Sequence, residues 1–198
     1  MPKVIGFDPV DLGFGGMINY SGSDNNKVLD DVRDGDYPTL FVPESFRYLR
    51  LEIVTGSYFE LTDLRFIASL TRYPTVNMTT NSAPSPLVAS ASSTHLGGSP
   101  TYPQFDAFNA FDASSSSRWH STTGGSHWIQ IDLGTGNEIR PNSLAMTVIS
   151  GSGDRRPTSL IVKGSNTGAF SGEDETLYTS AAGVESEFSY GVETVLDF

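Results

Sequence analysis

The sequence has no cysteine, which excludes disulfides, zinc–thiolate centres and cysteine nucleophiles. It is short of positive charge: 12 Lys and Arg stand against 23 Asp and Glu, a net charge of −11. Such a surface repels phosphate backbones and anionic lipid, so neither nucleic acid nor membrane is an expected partner. No apolar run approaches the roughly 18 residues that a membrane-spanning helix needs. The opening stretch MPKVIGFDPVDLGFGG lacks the apolar core of about 7–15 residues that marks a signal peptide. The expectation is a chain that stays in the cell that made it or leaves within an assembled particle. Charged residues make up only 18% of the total, and sustained helical periodicity is nearly absent.

What is present points one way. The chain has 198 residues, 37% of them hydrophobic and 11% aromatic. That is enough for one core without staples, as a single domain or a domain with an appendage. Ser and Thr together supply 44 residues and Gly adds 20. This composition suits an all-β, turn-rich, often extracellular or virion protein. Residues 1–45 read as an N-terminal arm or docking segment, with loops, room for one short strand and no sustained helical period. The acidic run Asp30, Asp31, Asp34 and Asp36 in that arm suggests calcium only loosely, and a solvated loop is the simpler reading.

Beyond the arm, Phe46–Ile53 alternates, with Leu49, Leu51 and Ile53 on one side and Tyr48, Arg50 and Glu52 on the other. A turn at Thr55–Ser57 precedes a second strand, Tyr58–Phe66. Residues 67–90, rich in Ser, Thr, Asn and Pro, read as an extended connector over a surface. The main body, 91–198, shows short strands at His127–Gly134, Leu144–Ile149, Leu160–Lys163, Leu177–Tyr178 and Val192–Phe198. Ile129, Ile131 and Leu133 face inward in the first of these. The spacing argues a β-sandwich or jelly roll. Ala68–Leu70 and Phe105–Phe111 each leave room for one helical turn. Trp119 and Trp128, the only tryptophans, stand at strand starts, where large aromatics fill a core or seal a barrel end; a sugar-stacking face is the alternative.

The densest region is Tyr102–Gly134. It contains Ala107-Phe-Asn109-Ala110-Phe111-Asp112, then Ser117-Arg118-Trp119-His120-Ser121, then Trp128-Ile129-Gln130-Ile131-Asp132-Leu133-Gly134. Further on stands Arg156-Pro157-Thr-Ser159-Leu160-Ile-Val162-Lys-Gly164-Ser165-Asn166. In these blocks the sequence resembles the discoidin family, also called coagulation-factor C-type domains, which includes galactose-type carbohydrate-binding modules. The resemblance implies a discoidin-like β-sandwich jelly roll.

A polar turn between a carboxylate and a hydroxyl, such as Asp112 to Ser117, suits a hard oxygen-liganded cation. The resemblance implies one structural calcium held by Asp112, Ser114, Ser117 and loop carbonyls. Two departures weaken that implication. The usual Gly after the Asp is Ala113, and the frequent acid or amide after it is Ser114. The strands that close such domains also appear at the start, as Phe46–Ile53 and Leu61–Phe66, rather than after Phe198. Asp63 then stands where the family's further acidic ligand falls. Two arrangements stay open. In a circular permutation, residues 46–66 complete the sheet of their own chain. In a strand exchange, they complete a neighbouring copy. An independent N-terminal subdomain is the remaining alternative. In either of the first two, the opening strands are expected to supply the sheet edge that the tail lacks.

Loops at one end of such a fold are where relatives bind sugars. The carbohydrate-binding candidates are His95, Tyr102, Phe105, His120, Arg155 and Arg156. Arg offers a fork of donors and aromatic rings stack on sugar faces. Each has a plainer reading. His95 is an ordinary loop residue, His120 is structural, Arg156 is a turn residue paired with Asp154, and Tyr102 and Phe105 plug the barrel end. No catalytic constellation stands out. There is no G-x-S-x-G, His120 and His127 lack a zinc spacing, and carboxylate pairs are expected by number alone among 23 acids.

The expectation is therefore a non-catalytic structural and binding module of a virus particle, in a bacteriophage tail, baseplate or capsid decoration. Its arm would meet other virion proteins, host glycan is its expected ligand, and a homo-oligomer is its expected state. The alternative is a secreted carbohydrate-binding module of a polysaccharide-acting system.

Overall fold

A computed structural model describes residues 44–98, 105–149 and 154–198. The arm up to residue 43 and the candidate Tyr102 lie outside the described residues. Among the described residues of the unit Glu44–Phe198 the chain is all-β, with single 3₁₀ turns at His95–Gly98, Ala107–Ala110 and Val184–Glu187. The Ala107–Ala110 turn lies within the expected Phe105–Phe111 stretch. The Ala68–Leu70 stretch instead forms a tight reversal between strands, with Ser69 and Leu70 both at positive φ.

Ten strands are described: β1 (Tyr48–Thr55), β2 (Glu60–Ala68), β3 (Thr71–Tyr73), β4 (Val88–Ala91), β5 (Trp119–His120), β6 (Gly125–Asp132), β7 (Ser143–Val148), β8 (Ser159–Ser165), β9 (Glu175–Thr179) and β10 (Glu193–Asp197). They form two antiparallel sheets. One has the order β4-β6-β1-β8-β9; the other has the order β10-β7-β2-β3, with β5 also on β2. The opening strands pair within their own chain. They do not sit at edges, as the sequence led us to expect, but at the centres. β1 pairs β6 from Tyr48↔Asp132 to Thr55↔Gly125 and β8 from Tyr48↔Ser165 to Val54↔Ser159. β2 lies between β7 and the pair β3 and β5. A central strand with backbone partners on both sides satisfies all of its N–H and C=O groups. Nor is 67–90 only an extended connector: it contributes β3, begins β4, and buries Met78 and Leu87.

The core forms between the two sheets. Leu49, Leu51, Ile129, Ile131 and Val162 from one meet Leu61, Leu64, Phe66, Leu144, Met146 and Val148 from the other, all of them fully buried. In β1 the predicted alternation is what is seen: Leu49, Leu51 and Ile53 are buried while Tyr48, Arg50 and Glu52 are half-exposed. β2 is different. Its pairing with β7 jumps from Leu61↔Val148 to Asp63↔Thr147, so Thr62 is an extra residue, a β-bulge. The bulge shifts the side-chain phase by one. Leu61 before it and Leu64 and Phe66 after it all face the core, whereas Glu60, Asp63 and Arg65 face the other way.

Candidate functional site

The β2–β5 register sets one end of the sandwich. Leu61 pairs with Trp119 and Glu60 with His120. Cross-strand partners share a face, so Trp119 goes to the core with Leu61, where it is fully buried against Phe59 with its Nε1–H donating to the Ser93 carbonyl at 2.9 Å. His120 is placed on the other face beside Glu60, and its Nε2 lies 2.7 Å from Glu60 Oε1. Arg155 Nη1 reaches the same oxygen, and Arg118 Nε stands 3.5 Å from Oε2. The Glu60 side chain is only 5% exposed, so two guanidiniums and a histidine ring converge on one buried carboxylate.

Burial alone would raise the Glu60 carboxyl. The His120 hydrogen bond and charge, the Arg118 charge and the Arg155 hydrogen bond outweigh it and hold the group below its ordinary value. Glu60 is therefore a carboxylate at neutral pH. The other ring nitrogen of His120, Nδ1, lies 2.6 Å from the Ser121 carbonyl. Both ring nitrogens thus face oxygen atoms, Glu60 on one side and the Ser121 carbonyl on the other.

Aromatic rings cover the pair. His95 stacks on His120 with ring centroids 4.4 Å apart, and Phe105 and Tyr58 approach His120 at 5.2 Å each. His95 also meets Tyr58 and Phe105 edge-on, at 5.7 and 5.5 Å. The guanidinium of Arg118 lies 5.4 Å from the Phe105 centroid and that of Arg155 lies 5.8 Å from Tyr58. Burial, then the His120 and Arg155 charges, lower the His95 pKa against the pull of Glu60, so His95 is neutral at pH 7. Its ring nitrogens have no hydrogen-bond partner among the described residues.

Four of the sequence-derived candidates, His95, Phe105, His120 and Arg155, thus come together around one carboxylate. Arg156 does not join them. It holds Asp154 through Nε at 3.0 Å and Nη2 at 2.7 Å, and that carboxylate also accepts from Tyr190, which is the expected turn pairing. Three members of the cluster went unnoticed in the sequence: Glu60, Tyr58 and Arg118. Arg118 lay within the family-like block, and only its proximity to His120 and Trp119 marked it. Glu60 carried no local signal.

The calcium candidates are arranged differently. Asp112 Oδ1 accepts from the Ser114 N–H at 2.8 Å and Oδ2 accepts from the Ser117 hydroxyl at 2.5 Å, so the turn closes on itself. Asp63, on β2, is paired with Arg65 at 3.1 Å. The turn therefore offers one carboxylate, both of whose oxygens are engaged, and the described residues contain no group of three His, Asp or Glu able to hold a metal. These donors do not fit a calcium site, which needs six to eight convergent oxygens.

A second surface feature lies on the outer face of the β4–β9 sheet. A shallow depression of about 380 Å³ is lined by Glu52, Val54, Ser126, Trp128, Ser159 and Ile161. Trp128 is mid-strand in β6 and faces outward rather than into the core. Its ring is not a free platform. The Arg50 guanidinium sits 4.3 Å from the Trp128 centroid and 3.8 Å from that of Phe170, and bonds Gln130 Oε1 through Nε at 3.0 Å and Nη2 at 2.6 Å. The ring face that a sugar would need is already covered by a cation.

No protein-family model matches the chain, and neither the curated proteins nor the solved structures contain a match.

Proposed function

We propose that this chain is a non-catalytic, discoidin-like binding and assembly module of a virus particle, set in a bacteriophage tail, baseplate or capsid decoration, and that the Glu60 end of its sandwich recognises a host-surface glycan. One observation carries the glycan reading. His95 and Phe105 present aromatic edges and faces beside the Arg118 and Arg155 forks, and all of them are fixed about a buried carboxylate. Sugars are held by this combination, with apolar rings against the C–H faces and fixed donors on the oxygens.

The charge state of Glu60 argues against a general-acid role. A general acid needs a raised pKa and a proton to give, and Glu60 is held ionised by its neighbours. The particle setting rests on the acidic, Ser/Thr-rich, all-β character of the chain and on the family resemblance. In that setting residues 1–45 meet other particle proteins, and copies of the chain associate. Calcium is not part of this proposal, because both Asp112 oxygens are engaged within their own turn and Asp63 is paired with Arg65.

Screening the purified protein on a glycan array tests the reading. Binding to a defined glycan set, abolished by Phe105→Ala with the fold intact by circular dichroism, is the expected result. Absence of binding to every glycan leaves a scaffold role alone and overturns it.

A further inference from the structure

The Glu60 cluster carries an imbalance of charge that the other described ion pairs do not share. The chain is acidic overall, at −11. Yet around Glu60 the guanidiniums of Arg118 and Arg155 and the His120 ring face a single carboxylate. Elsewhere among the described ion pairs the partners balance or favour the acid: Arg47 with Asp132, Arg72 with Glu193, Arg140 with Glu175, and Lys163 between Glu52 and Asp174. Asp106, next to Phe105, forms no ion pair among the described residues, and its carboxyl is raised by burial alone.

The excess is also sterically available. Glu60, His120 and Arg155 form the floor, with side chains 5%, 7% and 11% exposed, whereas Arg118 is 32% exposed at the rim. Arg118 Nε and Arg155 Nε are buried with no hydrogen-bond partner. Arg118 makes no hydrogen bond at all among the described residues, although its neighbours are rigid rings. A guanidinium that makes no hydrogen bond among the described residues, paired only at 3.5 Å with a carboxylate that Arg155 and His120 already face, matches a planar anion approaching from outside. A neutral hexose would leave that charge uncompensated.

Resting on the glycan reading above, we infer that the ligand is a carboxylate-bearing sugar of uronic-acid or sialic-acid type. Its carboxylate is taken by the Arg118 fork, and its ring packs against the surface that His95 and Phe105 form together.

The test is calorimetric titration of the whole chain. The probes are polygalacturonate and hyaluronan oligosaccharides, a sialylated lactoside, the carboxyl-reduced form of each, and plain galactosides. Binding of at least one acidic glycan is expected to weaken at least about tenfold on carboxyl reduction, as the loss of one charge-assisted hydrogen bond implies. Arg118→Gln is expected to weaken it by a similar factor, Arg118→Lys by less, and Arg72→Gln, an equal loss of charge on β3, not at all. Matching melting curves for the variants separate binding from folding. Equal binding of acidic and reduced forms, or of wild type and Arg118→Gln, overturns the acidic-sugar inference and leaves the glycan reading standing. No binding of any probe, neutral or acidic, overturns both.

Discussion

Replacing Glu60 with Gln should destabilise the fold. The substitution keeps size and shape but removes the one negative charge that two guanidiniums and the His120 ring face. Two of them are nearly inaccessible, with His120 7% and Arg155 11% exposed. Removing one partner of a buried pair leaves uncompensated charge and costs about 3–5 kcal/mol. Arg118 is nearly a third exposed and water screens its share, which argues for the lower end, about 3 kcal/mol. For a domain of this size roughly 2–4 °C accompany each kcal/mol, so the melting temperature should fall by about 6–12 °C. The pH dependence carries a sign. The folded Glu60 carboxyl titrates below its ordinary value of 4.5, so its contribution is complete above that pH and is lost as pH falls through the folded value. The gap between wild type and Glu60→Gln should therefore be full from pH 5 to 7 and close in more acid solution. Calorimetric melts at several pH values measure both features. A variant within about 1 kcal/mol of wild type at pH 7, or a gap that does not change on acidification, refutes the electrostatic account of the cluster.

Three further outcomes follow from local geometry. Ala113 sits at φ 58°, and Ala113→Gly should stabilise by up to about 1 kcal/mol in urea unfolding, the left-handed strain relieved less the added freedom of the unfolded chain; a lower midpoint would contradict this. A Cβ on Gly164 would lie 2.3 Å from the buried Phe46 ring, so Gly164→Ala should lose about 1–3 kcal/mol, and an unchanged midpoint would show that the Phe46 contact yields freely. Because the Asp112 turn closes on its own serines, a chelator should leave the melting curve where it was; a drop of several degrees would put a cation there.

What the sequence disclosed followed the regular parts of the chain. β1 and β6 alternate without interruption, so their core faces were legible from period two, and the same alternation puts Trp128 outward on β6. Glu60 was hidden because the bulge at Thr62 breaks the alternation of β2, and a carboxylate out of phase looks like any of the 23 acids. The two-residue β5 has no period of its own, and only its register against a strand some 60 residues earlier, Glu60↔His120, makes the pair. The central position of β1 was beyond local reading for the same reason: Tyr48 pairs with Asp132 and with Ser165, far along the chain, and strand order is set by those long-range pairings. The end-loop candidates were recoverable as residue types. Their convergence on one carboxylate was not.

The most direct measurement is a two-dimensional NMR titration of the labelled protein with a uronic-acid oligosaccharide, followed at the arginine Nε–H and histidine ring signals. The account predicts saturable shifts at Arg118 and His95 with Arg50 unmoved. Shifts confined to Arg50 and Trp128 on the outer sheet face, or none at any concentration, would contradict it.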